Sequence, residues 1–455
     1  MIAEVLKEKT TVSEPLKGDS WPERANNAAM QYQEVFKSGV RQFSNLETAR
    51  ERAAFTRWKT IENLDKYLIE FEANFIKSGG KVIWAQDISD ALEEILTILK
   101  RSSNKTVLKS KSQTSVEIGL HERLNHEGFK SIETDTGDYI LQQFGEEGSH
   151  MVLPALHKSV TEIAELFHKK FGLNENADPE ELVAHIRKEL RSEFLAAGAG
   201  ITGANFLIAD PGSIVIMENE GNAQLTASLP KIHIVIAGIE KLLPSLADLD
   251  LFLPLLSTYG TGQELTAYNT IITGPKQSEE LDGPEELYVI LLDNGRSNVL
   301  GHEVQRQAMS CIKCGACQYA CPVYRSAGPA DFPSPIAAVT TPLQQDMEAN
   351  QHLSHASTLC GSCREVCPVK IDLPRLLLQN RKLFIDQGIN SRSEKWFYFF
   401  WKKAMLKRDI MNWKGIRAGK YIMENLYKTK DQSRVMPTIA AKSFNELWRE
   451  KMNFK

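Results

Sequence analysis

The chain has 455 residues, 42% of them hydrophobic and 25% charged, and a formal net charge of -4. This is an ordinary soluble composition, long enough for two or three domains, and its slight acidity argues against a general nucleic-acid binder. No run of 18 or more apolar residues occurs, which excludes a spanning helix, and the opening MIAEVLKEKTTVSEPLKGDS has no apolar signal core, so a cytoplasmic setting is expected.

Residues 1–75 are polar and helix-prone. Apolar residues recur at helical spacing in NNAAMQYQEVFKSGVRQFSNLETARERAAF and again in TIENLDKYLIEFEANFIKSGG, where the glycine pair at 79–80 ends the last helix.

Residues 76–298 alternate strand and helix patterns. KVIWA (81–85) predicts a strand, and DISDALEEILTILKR (87–101) an amphipathic helix with Asp87 as N-cap. KTVLKS (105–110) follows as a strand, then SVEIGLHERLNHEG (115–128) as a helix, HMVLPA (150–155) as a buried strand and TEIAELFHKKFG (161–172) as a helix. ANFLIADPGSIVIMEN (204–219) reads as a hairpin turning at Asp-Pro-Gly. KIHIVIAG (231–238), NTIITG (269–274) and ELYVILLDNG (286–295) complete the strands. This alternation predicts an α/β layer fold with a mixed or mostly parallel sheet.

Several polar runs lie in this region. Lys109, Ser110, Lys111 and Ser112 join a strand to a helix and suit an anion, or are a solvated loop. Asn205, Glu218, Glu220 and Asn222 sit on or near the hairpin and either line a pocket or serve turn chemistry, and Thr261, Gly262 and Gln263 occupy a later loop. His150 and His157 flank the apolar 150–155 run and read as structural histidines. Gly198, Gly200 and Gly203 spell G-x-G-x-x-G, but a helix precedes and a strand follows, the reverse of the dinucleotide fingerprint. No nucleophile–base pair is recognisable.

Residues 299–390 hold all seven cysteines. Cys311, Cys314, Cys317 and Cys321, followed by Pro322, form C-x2-C-x2-C-x3-C-P, the bacterial ferredoxin run. Three thiolates on a tight loop reach three corners of one cubane; the fourth points to a neighbouring cluster. Gly315 relieves crowding in that loop. Cys360, Cys363 and Cys367, with Pro368, repeat the last three positions, and the missing first cysteine falls at Ser357. Ligand swapping then gives one cluster Cys311, Cys314, Cys317 and Cys367, and the other Cys321, Cys360 and Cys363. The second has one corner without a thiol. Ser357 is in register for it, with His355 and His352 nearby. Solvent, substrate, a partner residue or a [3Fe-4S] cluster are the alternatives, and Ser357 otherwise caps the turn before Cys360. Structural zinc would use only four of the cysteines and leave the repeated C-x3-C-P ending unexplained. RLLLQNRKLFIDQG (375–388) is a helix.

Residues 391–455 form a basic, aromatic, helical tail. Trp396, Phe397, Tyr398, Phe399, Phe400 and Trp401 precede Lys402, Lys403, Lys407 and Arg408. So many aromatics are expected to bury against this chain or a partner, or to give peripheral membrane contact through 394–430.

KSKSQTSVEIGL, ETDTGDYILQ, GITGANFLIADPGSIVIMENEGN, GIEKLLPSLADL, TGPK with LDGPEELYVILLDNGRS, CIKCGACQYACPVYR and LCGSCREVCPVKIDLP occur in that order. Together they resemble the lactate utilization protein B family over roughly residues 70–385, and the helical tail is also like the family's. The resemblance implies an α/β LUD domain, similar to CoA-transferase and sugar-isomerase folds, followed by an α-helical ferredoxin-type domain with two [4Fe-4S] clusters and a helical tail. It implies L-lactate oxidation to pyruvate together with two companions: a cysteine-rich, heterodisulfide-reductase-like subunit and a small LUD-domain protein. The family also lacks the eighth cysteine. The expected role is that of an electron-transfer subunit, not catalytic alone. Glycolate or another 2-hydroxy acid as substrate, a LUD-domain enzyme with structural clusters, and an assembly scaffold are the other readings. A hydroxy acid bound at the open cluster corner is a further expectation.

Overall fold

The computed structural model describes residues 21–102, 104–389, 392–407, 442 and 444–452. The opening 1–20 and the basic segment from Arg408 to 430 lie outside the described residues. The chain divides into two compact units, Met1–Leu383 and Phe384–Lys455.

Among the described residues of the first unit are ten strands: β1 (Lys81–Ala85), β2 (Thr106–Lys109), β3 (Lys130–Glu133), β4 (Ala199–Gly203), β5 (Phe206–Asp210), β6 (Ser213–Glu218), β7 (Ile232–Gly238), β8 (Leu242–Ser245), β9 (Tyr268–Ile272) and β10 (Glu286–Leu292). Six form a wholly parallel sheet in the order β1-β10-β7-β4-β2-β3. Its central strand β7 is buried at every residue, as a sheet covered on both faces requires. A second, mixed sheet has the order β8-β5-β6-β9; β8 runs parallel to β5, and β6 is antiparallel to β5 and β9. β5 and β6 are the expected hairpin. Asp87 caps the helix Ile88–Leu99 by accepting from the Asp90 N–H at 3.0 Å.

Two expectations need correction. The 115–128 segment is two short helices, Gln113–Glu117 and Leu120–His126, because the chain turns at Gly119 with φ +61°. The 150–155 run is a compact turn, not a strand. The imidazole Nδ1 of His150 accepts from the N–H groups of Val152 and Leu153, and the Ser149 N–H donates to the Pro154 carbonyl at 2.9 Å. These local bonds claim donors that a strand would give to a neighbour. Gly200 of the glycine run lies inside β4; a Cβ there would come 1.9 Å from the Thr226 carbonyl oxygen, so the glycine permits close helix packing.

Helices Trp21–Gly39, Leu46–Glu62 and Leu64–Lys77 precede the sheets. Phe71 and Phe75 of the third are fully buried in an apolar cluster with β5, β6, β7 and β10. Among the described residues no strand follows β10, and short helices carry the cysteines. One apolar core joins Phe206, Val215 and Phe252 to Ile312, Val339 and Leu376, so sheet and cysteine segment share an interior. In the second unit, helix Arg392–Met405 carries the six aromatics. All are exposed, Trp396 stacking on Phe400 and the Lys403 amine lying over Phe399. Among the described residues no helix is long and apolar enough to cross a membrane.

Candidate functional site

The first cysteine loop leaves a short 3-10 turn, Gln305–Ser310, and curls through two left-handed positions, Lys313 (φ 59°) and Gly315 (φ 79°). Cys311, Cys314 and Cys317 thereby line one small cavity, and Cys367 arrives from the second motif to line it too. Ile312, Ile336 and Ile371 supply apolar wall. The Lys313 N–H donates to the Cys311 sulfur at 3.3 Å, and the Ile371 N–H to the Cys367 sulfur at 3.4 Å. Burial pushes the Cys314 and Cys317 thiols well up, and Cys367 to about 11, with neighbouring thiols adding to each rise. Protons stay on such thiols unless a cation joins them.

Cys321, Cys360 and Cys363 form the second group, close enough for each to feel the others' charge. Cys321 and Cys363 are buried, whereas Cys360 is exposed. Ser357 ends the helix Met347–Ala356, and its hydroxyl accepts from the Leu359 N–H at 3.2 Å. Arg381 donates to the Ser354 and Ser357 carbonyls. His352 is exposed, its ring nitrogen against the Ala349 carbonyl. Among the described residues, no three His, Cys, Asp or Glu side chains converge tightly enough for a single ion. The first four thiols surround a space rather than a point, which fits a cluster with several metals better than one zinc at about 2.3 Å from each sulfur.

Residues far away in sequence hold these loops. Arg57 is fully buried and donates to the carbonyls of Glu240, Leu242, Met309 and Ser310. Arg50 donates to the Cys367 carbonyl, and Lys370 pairs with Glu47 and Glu51. Tyr32 stacks on Tyr319 at 4.2 Å between ring centres. The 149–153 turn closes the other side: a Cβ on Gly315 would press on Val152 and His150 at 3.2 and 3.3 Å. His150 is buried, its ring tilted against Tyr319 at 4.3 Å between centres. Burial, with Lys111 adding to it, lowers its pKa to about 3, so the ring is neutral. Nδ1 accepts two backbone bonds, so Nε2 carries the hydrogen, and it has no acceptor among the described residues. An orphaned buried donor beside the cysteine loop fits a bound group rich in sulfur. His157 is a structural residue, bonded to Ser149 and Glu146.

A second, larger cavity of about 400 Å³ adjoins the first; Met151, Lys313 and Cys314 line both. It opens at the carboxyl ends of the parallel strands, with Ser110 after β2, Gly203 ending β4 and Glu240 after β7. Ser110, Lys111, Ser112, Asn205, Glu218, Glu220, Asn222 and Thr261, expected from the sequence, all contribute. Lys109 does not; it pairs with Glu133 at 2.6 Å. Gln263 instead bonds Asn219 and Thr261. Lys111 donates to the Val152 carbonyl, and Ser112 caps its own short helix.

Sequence reasoning missed Glu240, Lys241, Arg296 and Lys313, which also line this cavity. Arg296 bridges Glu117 and Glu240 at 2.8 and 2.7 Å. Burial would raise the Glu240 carboxyl, but Arg296, Lys313 and Lys241 outweigh it and hold the pKa at about 2. Burial and, less strongly, Asp135 raise Glu218 and Glu220, although each accepts backbone hydrogen bonds.

A family model described as LUD domain matches residues 68–292, and one described as 4Fe-4S dicluster domain matches 307–371. Two relatives named Lactate utilization protein B, from Bacillus cytotoxicus and Bacillus thuringiensis, are each 42% identical over 350 residues, covering 76% of this chain and 74% of theirs. A crystal structure of a DUF162 family protein from Deinococcus radiodurans aligns at 11% identity and a TM-score of 0.29, over 50% of this chain and 98% of that one.

Proposed function

This chain belongs to the lactate utilization protein B family, and we propose that it is the iron–sulfur electron-transfer subunit of a cytoplasmic complex that oxidises L-lactate to pyruvate. The observation that carries this reading is the gathering of all seven cysteines into two adjacent groups, each fed by both motifs. Cys311, Cys314, Cys317 and Cys367 would hold one [4Fe-4S] cluster. Cys321, Cys360 and Cys363 would hold the second, whose remaining corner has Ser357 in register or is the absent iron of a [3Fe-4S] centre. What such groups supply when bound is one-electron chemistry.

The protein's own residues set the surroundings. The N–H groups of Lys313 and Ile371 donate to ligand sulfurs, and apolar side chains keep water from the enclosed thiols. We divide the labour as 76–298 for the cavity, 299–390 for the thiols, 1–75 for the strap that holds them, and 391–455 for companions. Those companions are a cysteine-rich subunit and a small LUD-domain protein. Glycolate or another 2-hydroxy acid would meet the same cavity.

The test is anaerobic isolation of the full chain, with iron and sulfide counted before spectroscopy. About eight irons supports two cubanes, and about seven a three-iron centre. With the other lactate utilization proteins present, L-lactate should bleach the iron–sulfur absorbance. A sample bleached by dithionite but never by lactate plus companions overturns the electron-transfer reading. Bleaching by glycolate alone reassigns the substrate.

A further inference from the structure

We propose that the 400 Å³ cavity is a binding site for a small hydroxy-monocarboxylate, its anionic end held by the ammonium groups of Lys241 and Lys313 beside Cys314. The inference extends the preceding reading by placing a ligand on this chain. Its test reads binding rather than reduction, so the two can fail separately.

Position is the first argument. In open parallel α/β sheets, ligands bind outside the carboxyl ends of the strands, and this cavity lies there. Its size suits a small molecule.

Charge is the second. Four cations line the cavity: Lys111, Lys241, Arg296 and Lys313. Arg296 is taken by Glu117 and Glu240, and Lys111 by the Val152 carbonyl. Lys241 and Lys313 lie close enough to feel each other's charge. Neither amine has a hydrogen bond or ion pair among the described residues, and the nearby Glu240 already accepts from Arg296. Glu240 attracts both half-buried ammoniums but is shared with Arg296, so these three cations face two carboxylates, Glu117 and Glu240, and an anion between the lysines balances the excess. Lys313 also holds a left-handed conformation, φ 59°, which crowds the Cβ of any residue but glycine. Glycine would give the same turn without the crowding, and would lack the amine.

The remaining lining selects the class. Glu117, Asp135, Glu218, Glu220 and Glu240 face the four cations, so a dianion such as phosphate is opposed. The carboxylates and the amide groups of Asn205 and Asn222 offer partners to a hydroxyl. A single carboxylate at the lysine end with a hydroxyl beyond it meets both conditions.

The experiment separates this role from that of mere counter-charge for whatever Cys314 holds. Full-length protein, isolated anaerobically with its iron counted, is titrated calorimetrically with L-lactate, glycolate, propionate and inorganic phosphate. Saturable binding of L-lactate or glycolate is expected, with propionate and phosphate at least several-fold weaker. Lys241→Gln and Lys313→Asn should each weaken binding tenfold or more, with iron content and visible spectrum retained; Lys276→Gln, outside the cavity, should not. Lys241→Gln, on a different chain segment from the cysteine loop, carries the test if Lys313→Asn loses iron. No binding by iron-replete protein, or binding untouched by Lys241→Gln, overturns the proposal. So does a Lys241→Gln variant whose cluster potential falls while affinity stays constant. Phosphate binding as tightly as L-lactate overturns the ligand class.

Discussion

The two thiol groups share a C-x2-C-x3-C-P ending, yet the fold treats them differently. Cys311, Cys314, Cys317 and Cys367 line one cavity, Cys314 and Cys367 buried and Cys311 and Cys317 half-buried, with Arg57 and Arg50 strapping the loops and His150 packed against Gly315. Cys321, Cys360 and Cys363 make up a group of three that reaches the surface at Cys360. Equal motifs therefore do not make equal environments. The enclosed group takes its surroundings from this chain and adjoins the cavity. The other group is open to solvent at Cys360.

The largest expected effect breaks that contrast at the strap. Arg57→Ala leaves four carbonyls without their shared donor inside the protein. Losing a fully buried cation of this kind costs about 3–5 kcal/mol. The variant should melt about 5 °C lower and lose iron from the enclosed group first. Arg381→Ala, which releases the carbonyls of Ser354 and Ser357 near the other group, should cost about 1 kcal/mol. Comparing melting and iron content of the two variants checks the asymmetry; equal losses would remove it.

Much of this was legible beforehand. β1 is KVIWA to the residue, and β7 and β10 are apolar runs that only a covered parallel sheet accommodates. Asp87 announces its helix because a cap is a local bond. The cysteine spacing is local too. What escaped is non-local. Arg57 reads as one more charge on a polar helix until the fold brings Met309, 252 residues away, to its guanidinium. Lys241 and Lys313 carry no signal of their partnership. The turn at 150–155 fails as a strand because one imidazole takes two N–H groups, which hydrophobic pattern does not register.

A smaller effect sharpens the contrast electrically. The His150 ring packs against Gly315 in the loop of the enclosed group, and its Nε2–H has no acceptor among the described residues. If it donates to sulfur there, His150→Phe removes about 1 kcal/mol of stabilisation from the more negative, reduced state. That corresponds to a fall on the order of 40 mV in one midpoint potential. Redox titration followed by paramagnetic resonance should show one signal shifting and the other fixed. Both signals fixed would mean that the N–H points elsewhere.

The smallest effect concerns Ser357, where sequence register and observed bonding pull apart. Register puts its hydroxyl at the corner that lacks a thiol. In the structure that oxygen accepts from the Leu359 N–H and closes the turn in which Leu359 sits at φ 56°. A hydroxyl occupied in this way does what a capping serine does, and removing it costs about 1 kcal/mol. Ser357→Ala should therefore melt a few degrees lower at most and keep its full iron content. A ligand hydroxyl predicts something else: one iron fewer per chain and the signal of a three-iron centre. Ser357→Cys approaches the same corner from the other side, since a thiol within reach would raise iron in any preparation that lacks the last metal. Iron analysis of the two variants beside the parent decides whether the surface group ends in this chain's own side chain or is left for a companion to complete.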